Sequence, residues 1–168
     1  SKRAGVYVTI DELIREVGLD QVRYFFLEKN PETHIDFDIA LAKKRSKENP
    51  VFYIQYAHAR LASLQRKGMA APSDFAYTAL RTDEEQALIR QILRFPDVLE
   101  DICRDYRLAR LIRYTYDLAH AFHIFYEQSR ILDAEGDVKN ARMALAVATA
   151  IVLKKSLRLL GISAPEDM

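Results

Sequence analysis

Residues 106–126 read YRLARLIRYTYDLAHAFHIFY. Leu108, Leu111, Ile112, Thr115, Leu118, Ala119, Phe122, Phe125 and Tyr126 recur at steps of three and four, drawing one apolar stripe over about five helical turns. Asp133–Asp137, with Gly136, reads as a turn. Val138–Leu160 then reads as the last helix, with Ala141, Ala144, Leu145, Ala148, Ile151 and Val152 on one side and Gly161 placed to end it. Upstream the punctuation is also helical. Thr9 and Glu12 form a capping box that opens a helix to Val17, closed by Gly18. A second helix spans Gln21–Lys29 and stops at Asn30-Pro31, because proline cannot continue a helix. Asp36 or Asp38 can cap a helix running to about Ser46. Pro50, favourable where no N–H is needed, opens another through Lys67 that Gly68 ends. A loop with Ala70-Ala71-Pro72 follows, and Thr82-Asp83-Glu84-Glu85 starts a further helix. No alternation suited to a strand is longer than Val6–Ile10. The expected fold is an all-α helical bundle.

The chain has 168 residues and a net charge of +1, enough length for one domain or a domain plus an appendage. Nine tyrosines and eight phenylalanines supply the apolar area a disordered chain lacks. No apolar run approaches the roughly 20 residues of a membrane span. Cys103 stands alone, which excludes a disulfide framework or a thiolate metal cage and points to a reducing, cytoplasmic setting. No secretory signal is present, and the lack of an initiator Met makes a longer parent chain the expectation. Charge is segregated. Pro50–Gly68 contains no acid but carries Arg60, Arg66 and Lys67, whereas Thr82–Asp101 holds six acids against Arg90 and Arg94. Such a chain can offer one basic face to a polyanion, or simply solvate its helix faces.

Autonomous chemistry is missing. There is no glycine-rich phosphate loop, nucleophile elbow or zinc signature. His120 and His123, three residues apart with Asp117 and Glu127 a turn away, could present metal ligands on one helical face. A core-edge position for His123 and a surface one for His120 account for them better, so no metal is expected. His58 reads as a packed or hydrogen-bonded histidine, and Asp36 and Asp38 as caps before an acid–base pair.

Ser1-Lys2-Arg3-Ala4-Gly5 and the longer run Asn49-Pro50-Val51-Phe52-Tyr53-Ile54-Gln55-Tyr56-Ala57-His58-Ala59-Arg60 form a pattern that resembles the C-terminal part of the arginyl-tRNA synthetase family, class I aminoacyl-tRNA synthetases. Leu118-Ala119 through Phe125-Tyr126, Asn140–Leu145 and the ending Leu159–Met168 extend the resemblance over essentially the whole chain. It implies that Ser1 and Lys2 are the second half of the K-M-S-K signature loop, a remnant of an ATP-binding site. Residues 1–46 would then finish that loop and supply connecting helices of the catalytic and stem-contact region, with residues 1 to about 20 packing on the missing domain. Residues 47–168 would be a helical anticodon-binding domain of the type called DALR.

The resemblance further implies tRNA(Arg) as partner, together with the upstream catalytic domain. The parent would be an arginine-tRNA ligase using ATP with Mg, whereas this monomeric fragment would neither bind a cofactor nor catalyse. Positions matching the family's anticodon-loop surface are Tyr56, Arg60, Arg66, Tyr126, Arg130 and Met168, with Leu132 beside them. Some members carry an aromatic at the place of Arg130. Residue chemistry points the same way less specifically: single-stranded loops are read by aromatic stacking and arginine planes beside basic surface. Tyr56 and Arg60 are four apart on the acid-free helix and should project together, and Tyr126 and Arg130 repeat that spacing. The register alone equally allows Tyr53, Tyr56 and Tyr126 to be core residues with a hydroxyl at the edge. The Lys43–Lys47 cluster fits either solvated charge or a contact with the inner corner of tRNA. A helical protein-interaction module without an RNA role is the competing function.

Overall fold

The computed structural model describes residues 8–30, 32–67 and 74–168; Ser1, Lys2, Gly68 and the Ala70–Pro72 loop lie outside the described residues. Among the described residues eight α-helices follow one another: α1 (Ile10–Val17), α2 (Leu19–Leu27), α3 (Ile39–Lys43), α4 (Pro50–Arg66), α5 (Asp83–Leu93), α6 (Phe95–Asp105), α7 (Ala109–Gln128) and α8 (Gly136–Leu160). A short 3-10 turn, Tyr77–Ala79, precedes α5, and no strand occurs among the described residues. α7 is the axis of the bundle, packed by α4, α5, α6 and α8. Its Leu118, Ala119, Phe122 and Phe125 are fully buried, which is the stripe the sequence shows. A second, smaller apolar cluster joins Leu13, Val17, Val22 and Ala42 of α1–α3. Tyr24 of α2 reaches into the main core instead.

Several boundaries move, each for a local reason. Gly18, at φ 95°, ends α1 and also begins α2, so α2 starts at Leu19 rather than Gln21. Asp38 caps α3 through a hydrogen bond from the Leu41 N–H at 2.9 Å, but α3 stops at Lys43, short of Ser46. The Asn49 amide donates to the carbonyls of Ala42 and Lys44, both at 2.9 Å, and so takes acceptors that a longer helix would have used. The same side chain caps α4 by accepting from the Val51 N–H at 3.0 Å.

The stretch after α5 is its own helix, α6, which the sequence reading did not separate. Pro96 has no N–H to continue the α5 ladder, so the chain restarts at Phe95. Tyr106 does not open the long helix. It ends α6 in the left-handed region at φ 56°, and α7 begins at Ala109 with Leu108 exposed. Gly136 is the first residue of α8 rather than part of the turn. The buried face of α8 also differs from the hydropathy reading. It runs through Ala141, Leu145, Thr149, Leu153, Ser156 and Leu160, while Ile151 points to solvent. Thr149 and Ser156 can lie inside because their hydroxyls donate to Leu145 O and Val152 O, at 2.8 and 2.9 Å.

Beyond α8 the chain is strapped back onto the bundle. Gly161, at φ 67°, lets the Ile162 N–H return to Leu157 O at 2.9 Å, and Ile162 is buried. Ser163 is then held by Asp20 and Gln55, and the His58 Nδ1–H donates to Pro165 O at 2.8 Å. The tail therefore links α2 to α4.

Candidate nucleic-acid interface

The acid-free helix α4 lies against α7, and their shared seam carries an aromatic cluster. Phe52 and Tyr56, one turn apart on α4, stack at 6.1 Å with planes 10° apart. His123 of α7 stacks on Tyr56 at 5.9 Å and packs at a tilt of 46° against Tyr53 at 4.5 Å. Tyr53 also packs on Tyr116, and its hydroxyl lies 3.0 Å from Nδ1 of the exposed His120. At the open edge of the cluster, the Arg60 guanidinium lies over the Tyr56 ring at 4.7 Å and over the Tyr126 ring at 4.5 Å. The four-residue spacing on α4 brings Tyr56 to Arg60, and the helix pairing supplies Tyr126 from 66 residues away.

Among the described residues no carboxylate lies within ion-pair distance of Arg60. Two rings lie against its guanidinium, and among the described residues no group accepts a hydrogen bond from its N–H edge. Arginine suits this arrangement because its fork of N–H donors is planar and rigid and stacks on aromatic faces. Tyr56 is 36% exposed and Tyr126 is half-buried against the core.

The other candidates sit differently. Arg66, the last residue of α4, is engaged by the tail, donating to Glu166 O at 3.1 Å and pairing with the Asp167 carboxylate. Met168 is exposed and lines a cavity of about 480 Å³ at the start of α4 together with Lys43, Lys44, Arg45 and Phe52. Arg130 and Leu132 do not continue the helical register from Tyr126. α7 ends at Gln128, and Ser129 turns extended at φ −97°, ψ 114°, so both residues lie exposed in the following turn. The Tyr126–Arg130 spacing is therefore not a helical one. Lys43 and Lys44 pair with Glu16 and Glu48 at the surface, contacts of small energy that salt screens. No group of three or more His, Cys, Asp or Glu side chains is placed to hold a metal among the described residues, and no described helix is long and apolar enough to cross a membrane.

One pairing escaped the sequence reading. Glu85, which closes the Thr82 capping box, also receives Arg142 Nε of α8 at 2.6 Å and the Arg81 N–H at 2.7 Å. Burial alone would raise its carboxyl pKa. The hydrogen bonds from Thr82, Arg142 and Arg81 outweigh that and hold it below the ordinary value.

Residues 54–168 match the family described as the DALR anticodon binding domain. Over its full length the chain is 46% identical to part of the arginine-tRNA ligase of Desulforudis audaxviator and 43% identical to part of that of Bacillus subtilis. It spans 31% of the length of each of these relatives. Among solved structures, 99% of the chain superposes on 29% of Thermus thermophilus arginyl-tRNA synthetase with a TM-score of 0.79 and 27% identity. Plasmodium falciparum arginyl-tRNA synthetase gives a TM-score of 0.74 at 25% identity, over 96% of this chain and 29% of that one.

Proposed function

The chain belongs to the DALR anticodon-binding domain family, and on that footing we propose that it recognises the anticodon stem-loop of tRNA(Arg) through the α4–α7 seam. The observation that carries this reading is the Arg60 guanidinium held between Tyr56 and Tyr126 with no carboxylate to satisfy it among the described residues. A base presented to that edge meets donors already fixed in a plane, so little side-chain freedom is lost on binding. Arg66, Met168, Arg130 and Leu132 extend the surface around it, and Lys43–Arg45 supply positive charge that positions phosphate without reading sequence.

The relatives are named arginine-tRNA ligases and are about three times longer than this chain, which supports a longer parent that joins arginine to tRNA. In this reading the parent uses ATP and Mg, works in the cytoplasm and acts as a monomer. In that parent, residues 1–46 connect the anticodon-binding bundle of residues 47–168 to an upstream catalytic domain. The separate cluster of Leu13, Val17, Val22 and Ala42 supports this division. In this reading the chain, which spans 31% of the length of these ligases, forms no arginyl-adenylate by itself.

The test is a fluorescence titration with tRNA(Arg) and with stem-loops changed at single anticodon bases, each at two salt concentrations. Specific, strongly salt-dependent binding is expected. Binding that is absent, or indifferent to both base and salt, would leave the helical protein-interaction module as the better account.

A further inference from the structure

His123 is nearly closed off from solvent, at 6% exposure, although it adjoins the exposed edge of the seam. Its Nε2 lies 3.2 Å from the Tyr53 carbonyl. A carbonyl only accepts, so Nε2 carries the proton and donates, leaving Nδ1 bare in the neutral ring. The imidazole plane is within 21° of the Tyr56 plane, and Tyr56 in turn carries Arg60. From α7, His123 therefore supports the Tyr56 ring, which otherwise has only Phe52 of its own helix stacked on it.

We propose that His123 is a positioning residue for RNA recognition: as a neutral imidazole it fixes the Tyr56 ring and, through it, the plane of the Arg60 guanidinium. This rests on the anticodon-binding reading of the same seam. The charged and titratable groups that act on His123 are Arg60 of α4 and His120 and Glu127 of α7. Burial holds the imidazole pKa below its ordinary 6.5; Arg60 and His120 push the same way, against the Tyr53 carbonyl and Glu127. Protonation would place a second cation in the aromatic cluster that holds Arg60, and the clamp would loosen in acid.

Two variants separate ring support from protonation. His123→Leu removes the ring, whereas His123→Phe keeps a ring that cannot take a proton. In the RNA-free chain, the Arg60 Nε–H resonance should be displaced by the ring currents of Tyr56 and Tyr126. His123→Leu should remove the Tyr56 part of that displacement and lower discrimination between matched and single-base-changed stem-loops about tenfold, while His123→Phe keeps both within about twofold. As pH falls below 6.5 and through the lowered folded value of His123, the wild-type chain should lose affinity more steeply than His123→Phe. An unmoved Arg60 resonance and intact discrimination in folded His123→Leu would overturn the proposal. So would identical pH profiles for wild type and His123→Phe. If Arg60→Ala binds every stem-loop as wild type does, the interface reading fails. The Arg60 resonance in the free chain still decides the role of His123.

Discussion

Two arginines on neighbouring helices of this bundle have opposite surroundings. Arg142 of α8 is 16% exposed and donates to Glu85, a carboxylate almost wholly out of solvent that also takes the N–H groups of Arg81 and Thr82. Arg60 of α4 touches rings instead, and no described carboxylate is near it. A guanidinium committed to a buried anion closes a network, and removing either partner strands a charge. One that lies against rings keeps its N–H edge without a protein acceptor among the described residues. The first arrangement ties α5 to α8 across the bundle; the second is the one the proposed reading assigns to RNA.

The largest expected effect tests the structural half of that contrast. Arg142→Ala should cost about 3–5 kcal/mol, because it leaves the Glu85 carboxylate buried and unpaired. Urea unfolding should show a lowered midpoint at unchanged slope. A loss under about 1 kcal/mol would mean that the pair is solvated after all and the contrast is false. Arg60→Ala should behave the other way round. Stability should move by less than about 1 kcal/mol, the scale of a half-exposed cation–π contact. Affinity for the matched stem-loop should fall by about 1–3 kcal/mol, with weaker preference at one base. Circular dichroism melts beside competitive binding separate the two. If Arg60→Ala unfolds the chain instead, Arg60 belongs with Arg142.

Acid sharpens the comparison further. The Glu85 carboxyl is held below its ordinary 4.5 in the folded chain, so its contribution is complete above that value and disappears as pH falls through the lower folded value. His123 adds an earlier decline. Its folded pKa lies below 6.5, so the unfolded chain takes up the proton first and stability drops as pH falls from 6.5. Stability measured against pH should therefore fall in two stages. Arg142→Ala should flatten the lower one, and His123→Phe the upper.

The smallest effect is expected at Lys43, whose ion partner among the described residues is the surface Glu16. Lys43→Ala should change stability by less than about 0.5 kcal/mol. It should weaken all RNAs about equally and reduce the logarithmic salt slope by about one. A selective loss of the matched anticodon would give Lys43 a reading role.

Local features of the chain were legible wherever a few consecutive residues carry the whole physical cause. The capping boxes Thr9–Glu12 and Thr82–Glu85 and the Asn49-Pro50 start stand where the sequence shows them, since each is a hydrogen bond or a missing N–H within one turn. Boundaries slipped where a side chain beyond the helix or an unexpected backbone conformation intervened. Asn49 shortens α3, Tyr106 takes a left-handed cap that glycine ordinarily supplies, and Ser129 carries Arg130 off the register of Tyr126. The buried face of α8 was misread for another reason: Thr149 and Ser156 count as polar by composition, yet each hydroxyl finds a carbonyl one turn back. In the candidate site, Tyr56 and Arg60 are visible as neighbours on one helix, and Tyr126 as a stripe residue that the family resemblance also assigns to the anticodon-loop surface, but not as a neighbour of Arg60. The stacking of His123 on Tyr56 gave no signal in the sequence at all.

By itself the sequence determined a helical chain with a strongly apolar axis at Leu111–Phe125, an acid-free helix bearing Tyr56 and Arg60, and motifs tying it to the anticodon-binding family. Helices follow from bonds between residues three and four apart, so periodicity and caps contain the necessary information. Only the tertiary structure decided which arginine would be spent on a carboxylate and which would be held open between rings. Glu85 meets Arg142 across 57 residues, and Arg60 meets Tyr126 across 66. Those meetings depend on how α4, α5, α7 and α8 pack, and the direction a guanidinium faces is fixed only when the helices have closed around it.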